Sequence, residues 1–248
     1  MTGSNKIIGG HSPSINDANP KYAVETIKVN PDGTKIVKYT TQFEDGNLSK
    51  IKTRALFPEH WSDKNIIDSV NKIGNTKPIG QRTSTGDTLY RGTVNGVEID
   101  MIKKGNDIIA GYHKFDTCIS EFSQESEPGD YWYDCAILES TEILKQFSDS
   151  DWHLLLKQLK LKPIFWQKRL IECLGDLHNP YELEVVLETI NTSDKDLFIT
   201  CVDSLRFLDL STLDKSKKEQ LLSKAEIILE KASSPVKCVL EEFIKKAK

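Results

Sequence analysis

The Asn95-Gly96 pair constrains this chain more than any other dipeptide in it. Both residues accept the positive φ that a type I′ turn demands. Val94 and Val97 flank them, so the pair dictates a β-hairpin. Beyond the turn, Val97, Ile99 and Met101 alternate with Glu98, Asp100 and Ile102, which gives one apolar face. Lys104-Gly105-Asn106-Asp107 reads as a second turn and Ile108–Tyr112 as a closing strand. Thr88–Tyr112 is therefore predicted to be a three-stranded antiparallel meander.

The upstream residues supply the rest of a layer. Two strand-like runs, Tyr22–Val29 and Thr34–Phe43, are separated by the turn residues Asn30-Pro31-Asp32-Gly33. Glu44-Asp45-Gly46-Asn47 is a further turn, and Lys50–Pro58 is basic and then apolar. Ser62 is placed to cap a helix with Ile66, Ile67, Val70 and Ile73 on one face, and Gly74 stops it. Asn75–Asp87 reads as a loop. The order β-β-α-β-β-β predicts an α+β domain, an antiparallel sheet with one main helix.

Past His113 the pattern changes. Lys114–Asp130 is polar and reads as a linker. From Tyr131 the apolar period is 3.6, with stripes such as Trp152, Leu155, Leu156 and Leu159, or Leu197, Cys201, Leu205 and Leu208. Further helices are predicted near 215–231 and 235–246. Cys173–Leu177 and Ser204–Leu208 recur at an offset of 31 residues, which suggests an all-α domain, either a small HEAT-like solenoid or an irregular bundle. The expected division is residues 1–113, a linker 114–130, and a helical domain 131–248.

Charge divides at the same place. Up to His113 there are 15 basic and 12 acidic residues, and after it 18 basic and 25 acidic. Such a contrast suggests that the halves have different partners or are partners of each other. No apolar run approaches a membrane span, and the first ten residues carry no secretory apolar core. The five cysteines lack zinc-ligand spacing, so small buried thiols in a reducing, cytoplasmic setting are expected, with no metal and no cofactor.

The first half holds a histidine beside glycines (His11), a basic cluster (Lys50, Lys52, Arg54) and a tyrosine at a strand end (Tyr112). A histidine can move a proton near neutral pH, a lysine can stabilise a pentavalent phosphate, and a tyrosine can hold a phosphate or stack a base. Together they could cleave RNA without a metal. Spacing alone equally allows a structural loop histidine and a solvated basic edge strand.

The order Gly9-Gly10-His11-Ser12, a basic stretch leading into Leu56-Phe57-Pro58 and Trp61, an amphipathic helix, Gly92–Ile99 and Ile108–Tyr112 resembles the bacterial EndoU nucleases. These are toxin domains of contact-dependent inhibition and related polymorphic toxin systems, and the resemblance covers about residues 5–113. It implies an RNA endonuclease in which the 2′-hydroxyl attacks and a 2′,3′-cyclic phosphate is left. It places His11, Lys52 (with Lys50 as the alternative) and Tyr112 in catalytic positions. Lys50, Arg54 and Arg91 are the candidate substrate-binding cations.

The chain departs from the family pattern in several places. The family pattern has an earlier histidine motif, no histidine lies between Met1 and Gly10 here, and the expectation is that the chain starts just past that motif. Ala55 and Ala110 stand where the family usually has Ser or Thr, and His113 stands where it usually has Pro. Weak or absent RNA cleavage is therefore expected, even without the helical half. The second half resembles, more loosely, the helical immunity proteins encoded beside such toxins, through Pro128–Leu138 and Phe165–Pro180. The resemblance implies RNA as one partner, and a cognate toxin or the chain's own first half as another. Docking of the acidic half is expected near Lys50, Lys52 and Arg91, with Trp132, Tyr133, Trp152 and Trp166 as candidate anchors or core.

Overall fold

The computed structural model describes residues 11–81, 86–103, 111–124 and 127–248. Three strands, β1 (Tyr22–Val29), β2 (Lys35–Thr41) and β3 (Lys52–Leu56), form an antiparallel sheet in the order β1-β2-β3. The β1–β2 turn follows from its residues. Gly33 takes a positive φ of 85°, and the Asp32 carboxylate accepts from the backbone N–H and the hydroxyl of Thr34. Ile15, Val24, Val37, Tyr39 and Leu56 make a small core under this sheet.

Helix α1 (Asp63–Gly74) begins at Ser62, whose hydroxyl accepts from the Asn65 N–H while Asn65 reaches back to the Ser62 N–H. The reciprocal cap satisfies two of the donors that a helix start leaves open. Strands β4 (Gly80–Gln81), β5 (Thr88–Val94) and β6 (Val97–Lys103) form a second three-stranded sheet. Asn95 and Gly96 both have positive φ, 50° and 82°, as the hairpin required. Helix α1 lies on this sheet, where Ile73 joins Trp61, Val97 and Ile99 in a core.

The expected single sheet is thus two sheets. Lys52–Leu56 is a strand of the first, and the short β4, inside the expected loop, supplies the third strand of the second. Most of the expected closing strand lies outside the described residues. Its end, Gly111 and Tyr112, begins helix α2 (Gly111–Glu121) instead. The reason is visible in α2 itself: Phe115 and Ile119, four residues apart, are fully buried in the helical core. The first part of the expected linker is therefore helix. On α1, Ile67 is 60% exposed, so the apolar face is narrower than its periodicity implied.

The helical half continues with a π-helical turn (Trp132–Ala136) running into α3 (Ile137–Lys145), then α4 (Asp149–Leu159), α5 (Ile164–Cys173), α6 (Tyr181–Thr189), α7 (Lys195–Leu205), α8 (Lys215–Leu229) and α9 (Ser234–Ala247). Alternate helices pack together, α3 on α5, α5 on α7 and α7 on α9. Trp132, Tyr133, Trp152 and Trp166 are core residues. Among the described residues no helix is long and apolar enough to cross a membrane.

Candidate active site

Strand β3 carries Lys52 and Arg54, which share a face two residues apart, and Lys50 stands just before it, in the segment leading into the strand. All three are buried, because the helical half covers that face. Helix α9 packs on β1 and β2, the C-terminal ends of α5 and α7 meet Lys50 just before β3, and Asp134 of the π-turn meets Arg54 on the strand.

His11 sits at the outer edge of β3. The Phe57 N–H donates to the His11 carbonyl at 2.9 Å, so the loop adds to the strand edge there. Its ring stands edge-on to Phe57, with centroids 6.3 Å apart. Nδ1 lies 2.7 Å from the Ala55 carbonyl oxygen, and Nε2 lies 3.1 Å from an oxygen of Asp134. The Ala55 carbonyl can only accept, so Nδ1 donates; with Asp134 ionised Nε2 donates as well, an arrangement that favours the imidazolium. Burial works against that charge. The hydrogen bond to Asp134 and the negative charge of Asp130 outweigh it, and the histidine is held above its usual range.

Asp130 and Asp134 are one helical turn apart at the start of the helical half, and they face the same donors. Asp134 forms an ion pair with Arg54, its carboxylate 2.6 Å from Nη2, and also accepts from His11 Nε2. Asp130 accepts from the Ala55 N–H at 3.0 Å, lies 3.8 Å from His11 Nδ1, and offers its backbone carbonyl to Arg54 Nη1 at 3.2 Å. Burial pushes the Asp130 carboxyl up, against the pull of His11, the Ala55 N–H and Arg54. The Arg54 guanidinium also lies over the Tyr133 ring, 5.7 Å from its centroid.

The sequence-predicted residues separate into groups. His11 and Arg54 come together under Asp130 and Asp134. Lys50 points into the helical half at the end of α5, and Lys52 lines a cavity of about 50 Å³ between the sheet and the helices with Lys38, Lys168, Glu172 and Asp203. Arg91 lies on β5 of the other sheet, exposed and paired with Asp100 of its own hairpin at 2.6 Å and 2.7 Å, away from β3. Tyr112 stands at the start of α2 rather than on a strand. No group of acidic, histidine and cysteine side chains suited to a metal occurs among the described residues.

Sequence reasoning missed Asp130 and Asp134, although both lie in the Pro128–Leu138 tract that it singled out. Their signal was the four-residue spacing on a helix start. It carried no meaning until His11 and Arg54 were placed opposite.

Residues 1–114 match the family model of the bacterial EndoU nuclease. No curated protein and no solved structure matches the chain.

Proposed function

We propose that this chain, whose residues 1–114 form a bacterial EndoU nuclease domain, is a toxin–immunity fusion in which the helical half holds a metal-independent RNA endonuclease inactive in cis. One observation carries the reading. Asp134 holds His11 Nε2 and forms an ion pair with Arg54, and the Asp130 backbone carbonyl takes Arg54 Nη1. An imidazolium with both nitrogens engaged cannot take a proton from a 2′-hydroxyl, and an arginine paired with a carboxylate is not available to a phosphodiester.

In the proposed reaction the 2′-hydroxyl of RNA attacks the adjacent phosphorus, the 5′-oxygen leaves, and a 2′,3′-cyclic phosphate remains. His11 moves one of the two protons, and Arg54 neutralises the phosphate. Lys52 is proposed as the lysine that stabilises the transition state, and Tyr112 as a group that positions the substrate. Alanine at positions 55 and 110 withholds two hydroxyls that the family resemblance would supply, so even an opened site is expected to be a poor catalyst.

The test is incubation of the full chain and its D130A/D134A variant with total RNA. Freeing one acid–base group should raise cleavage by about 10²-fold, from a very low start. The products should carry 2′,3′-cyclic ends, and the added activity should vanish with His11→Ala. A parent chain that cuts RNA as fast as the double variant would overturn inhibition in cis.

A further inference from the structure

Resting on the reading of the helical half as the inhibitor, we infer that it recognises the nuclease domain through a socket for one lysine ammonium, set beside a clamp on the backbone segment that carries it. The occupant is Lys50, and the clamped segment is Leu48–Ile51, which leads into β3.

The socket lies where α5 ends. Lys50 Nζ reaches the carbonyl oxygens of Ile171 at 3.4 Å, Glu172 at 3.2 Å and Leu174, and the Ser204 hydroxyl at 2.9 Å. The carbonyls that an α-helix leaves open at its C-terminus carry the negative end of its dipole and favour a cation. Ser204 donates its own proton to the Ile171 carbonyl at 2.8 Å, so its lone pair faces the lysine. The turn after α5 is fixed from behind. Gly175 takes a φ of 116°, which a side chain would rarely adopt, and Glu182 accepts from the N–H groups of Gly175, Leu177 and Asn179. The Leu174 carbonyl is thereby held facing the socket.

The clamp reads the same segment through its backbone. Arg206 donates to the Leu48 carbonyl at 3.3 Å and to the Ser49 carbonyl at 3.0 Å. Asp203 accepts from the Ile51 N–H at 2.8 Å and also holds Arg206. Four consecutive residues are contacted, and only at Lys50 does a side chain make the polar contact. Backbone contacts cannot tell one sequence from another, so the choice of partner falls on the lysine. Four acceptors converging on one nitrogen suit a compact ammonium. A planar guanidinium spreads its donors over a wider fork and cannot place them on the same point.

Docking, not RNA cleavage, is the readout, so failure of this inference is separable from failure of inhibition in cis. In the full chain an amine-acylating reagent should spare Lys50 while labelling Lys64, whose side chain is 84% exposed. Hydrogen exchange at the Ile51 amide should quicken by about tenfold or more in the K50R variant, the loss of a charged hydrogen bond. In the K50A variant, n-butylammonium should restore the protection and n-butylguanidinium should not. A K50R chain protected like the parent would overturn the inference. So would equal restoration by the two cations, or labelling of Lys50 as ready as that of Lys64.

Discussion

Arg54 and His11 show how one side chain's surroundings reverse its meaning. On a bare β3 they would be an open cation and a titrating base. Under Asp130 and Asp134 they are a buried ion pair and a doubly donating imidazolium. The sequence carried the residue types and the family order, and so it named His11 and Arg54. It could not carry the lock, because nothing in Asp130 or Asp134 alone says which strand lies opposite. The protonation of His11 gives a pH dependence with a definite sign. Its folded-state pKa lies above its unfolded value of roughly 6.5, so its contribution to docking is full below that pH and is lost as pH rises through the folded value. The groups that face it are Asp134, Asp130 and the Ala55 carbonyl, with Arg54 beside them. Burial pushes the Asp130 carboxyl up, against the pull of His11, the Ala55 N–H and Arg54. Stability of the full chain should therefore fall as pH rises above about 6.5 by more than in a His11→Asn variant, measured by urea unfolding at each pH. Parallel curves for the two chains would show that His11 holds no charge-dependent contact.

At the level of elements, the features written in local chemistry were legible and those settled by distant packing were not. The Asn95-Gly96 turn, the Ser62 cap and the helices from α3 to α9 rest on residues adjacent in sequence, and they form where expected. The separation of the strands into two sheets depends on which faces find partners, and no local signal encodes it. The same holds for α2, a polar stretch made helical by burying Phe115 and Ile119 against distant helices. The α1–β5 contact illustrates how tight such packing is. A Cβ at Gly92 would stand 3.0 Å from Cγ1 of the buried Ile73, whereas a Cβ at Gly80 would meet nothing within 4 Å. Gly92→Ala should cost about 1–3 kcal/mol through overpacking. Gly80→Ala should be close to neutral, and thermal unfolding of the two variants would separate them. Equal effects would mean that helix α1 yields freely to the added methyl.

For the whole molecule, the charge contrast between halves was the legible clue. Its reading as a docking of acidic on basic surface needs a refinement. The contacts are not a general attraction between patches. They comprise a carboxylate pair on His11 and Arg54, a backbone clamp on Leu48–Ile51, a lysine in a carbonyl socket and a hydrogen bond from Tyr131 to Asp87. Ile51 also packs into the helical core, and helix α9 lies on β1 and β2. Buried contacts of this kind are screened far less by salt than exposed charges are, even where the Debye length shrinks to about 3 Å at 1 M. A limited proteolytic nick in the stretch 121–130 should therefore leave the halves together. The N-terminal piece would keep α2, whose Phe115 and Ile119 are buried among the helices of the other piece. The nicked chain should elute from a sizing column as one species at low salt and at about 1 M salt alike. Release of the halves by salt alone would mean that exposed electrostatics hold them, and dissociation at low salt would mean that the seam between them is not an interface of its own.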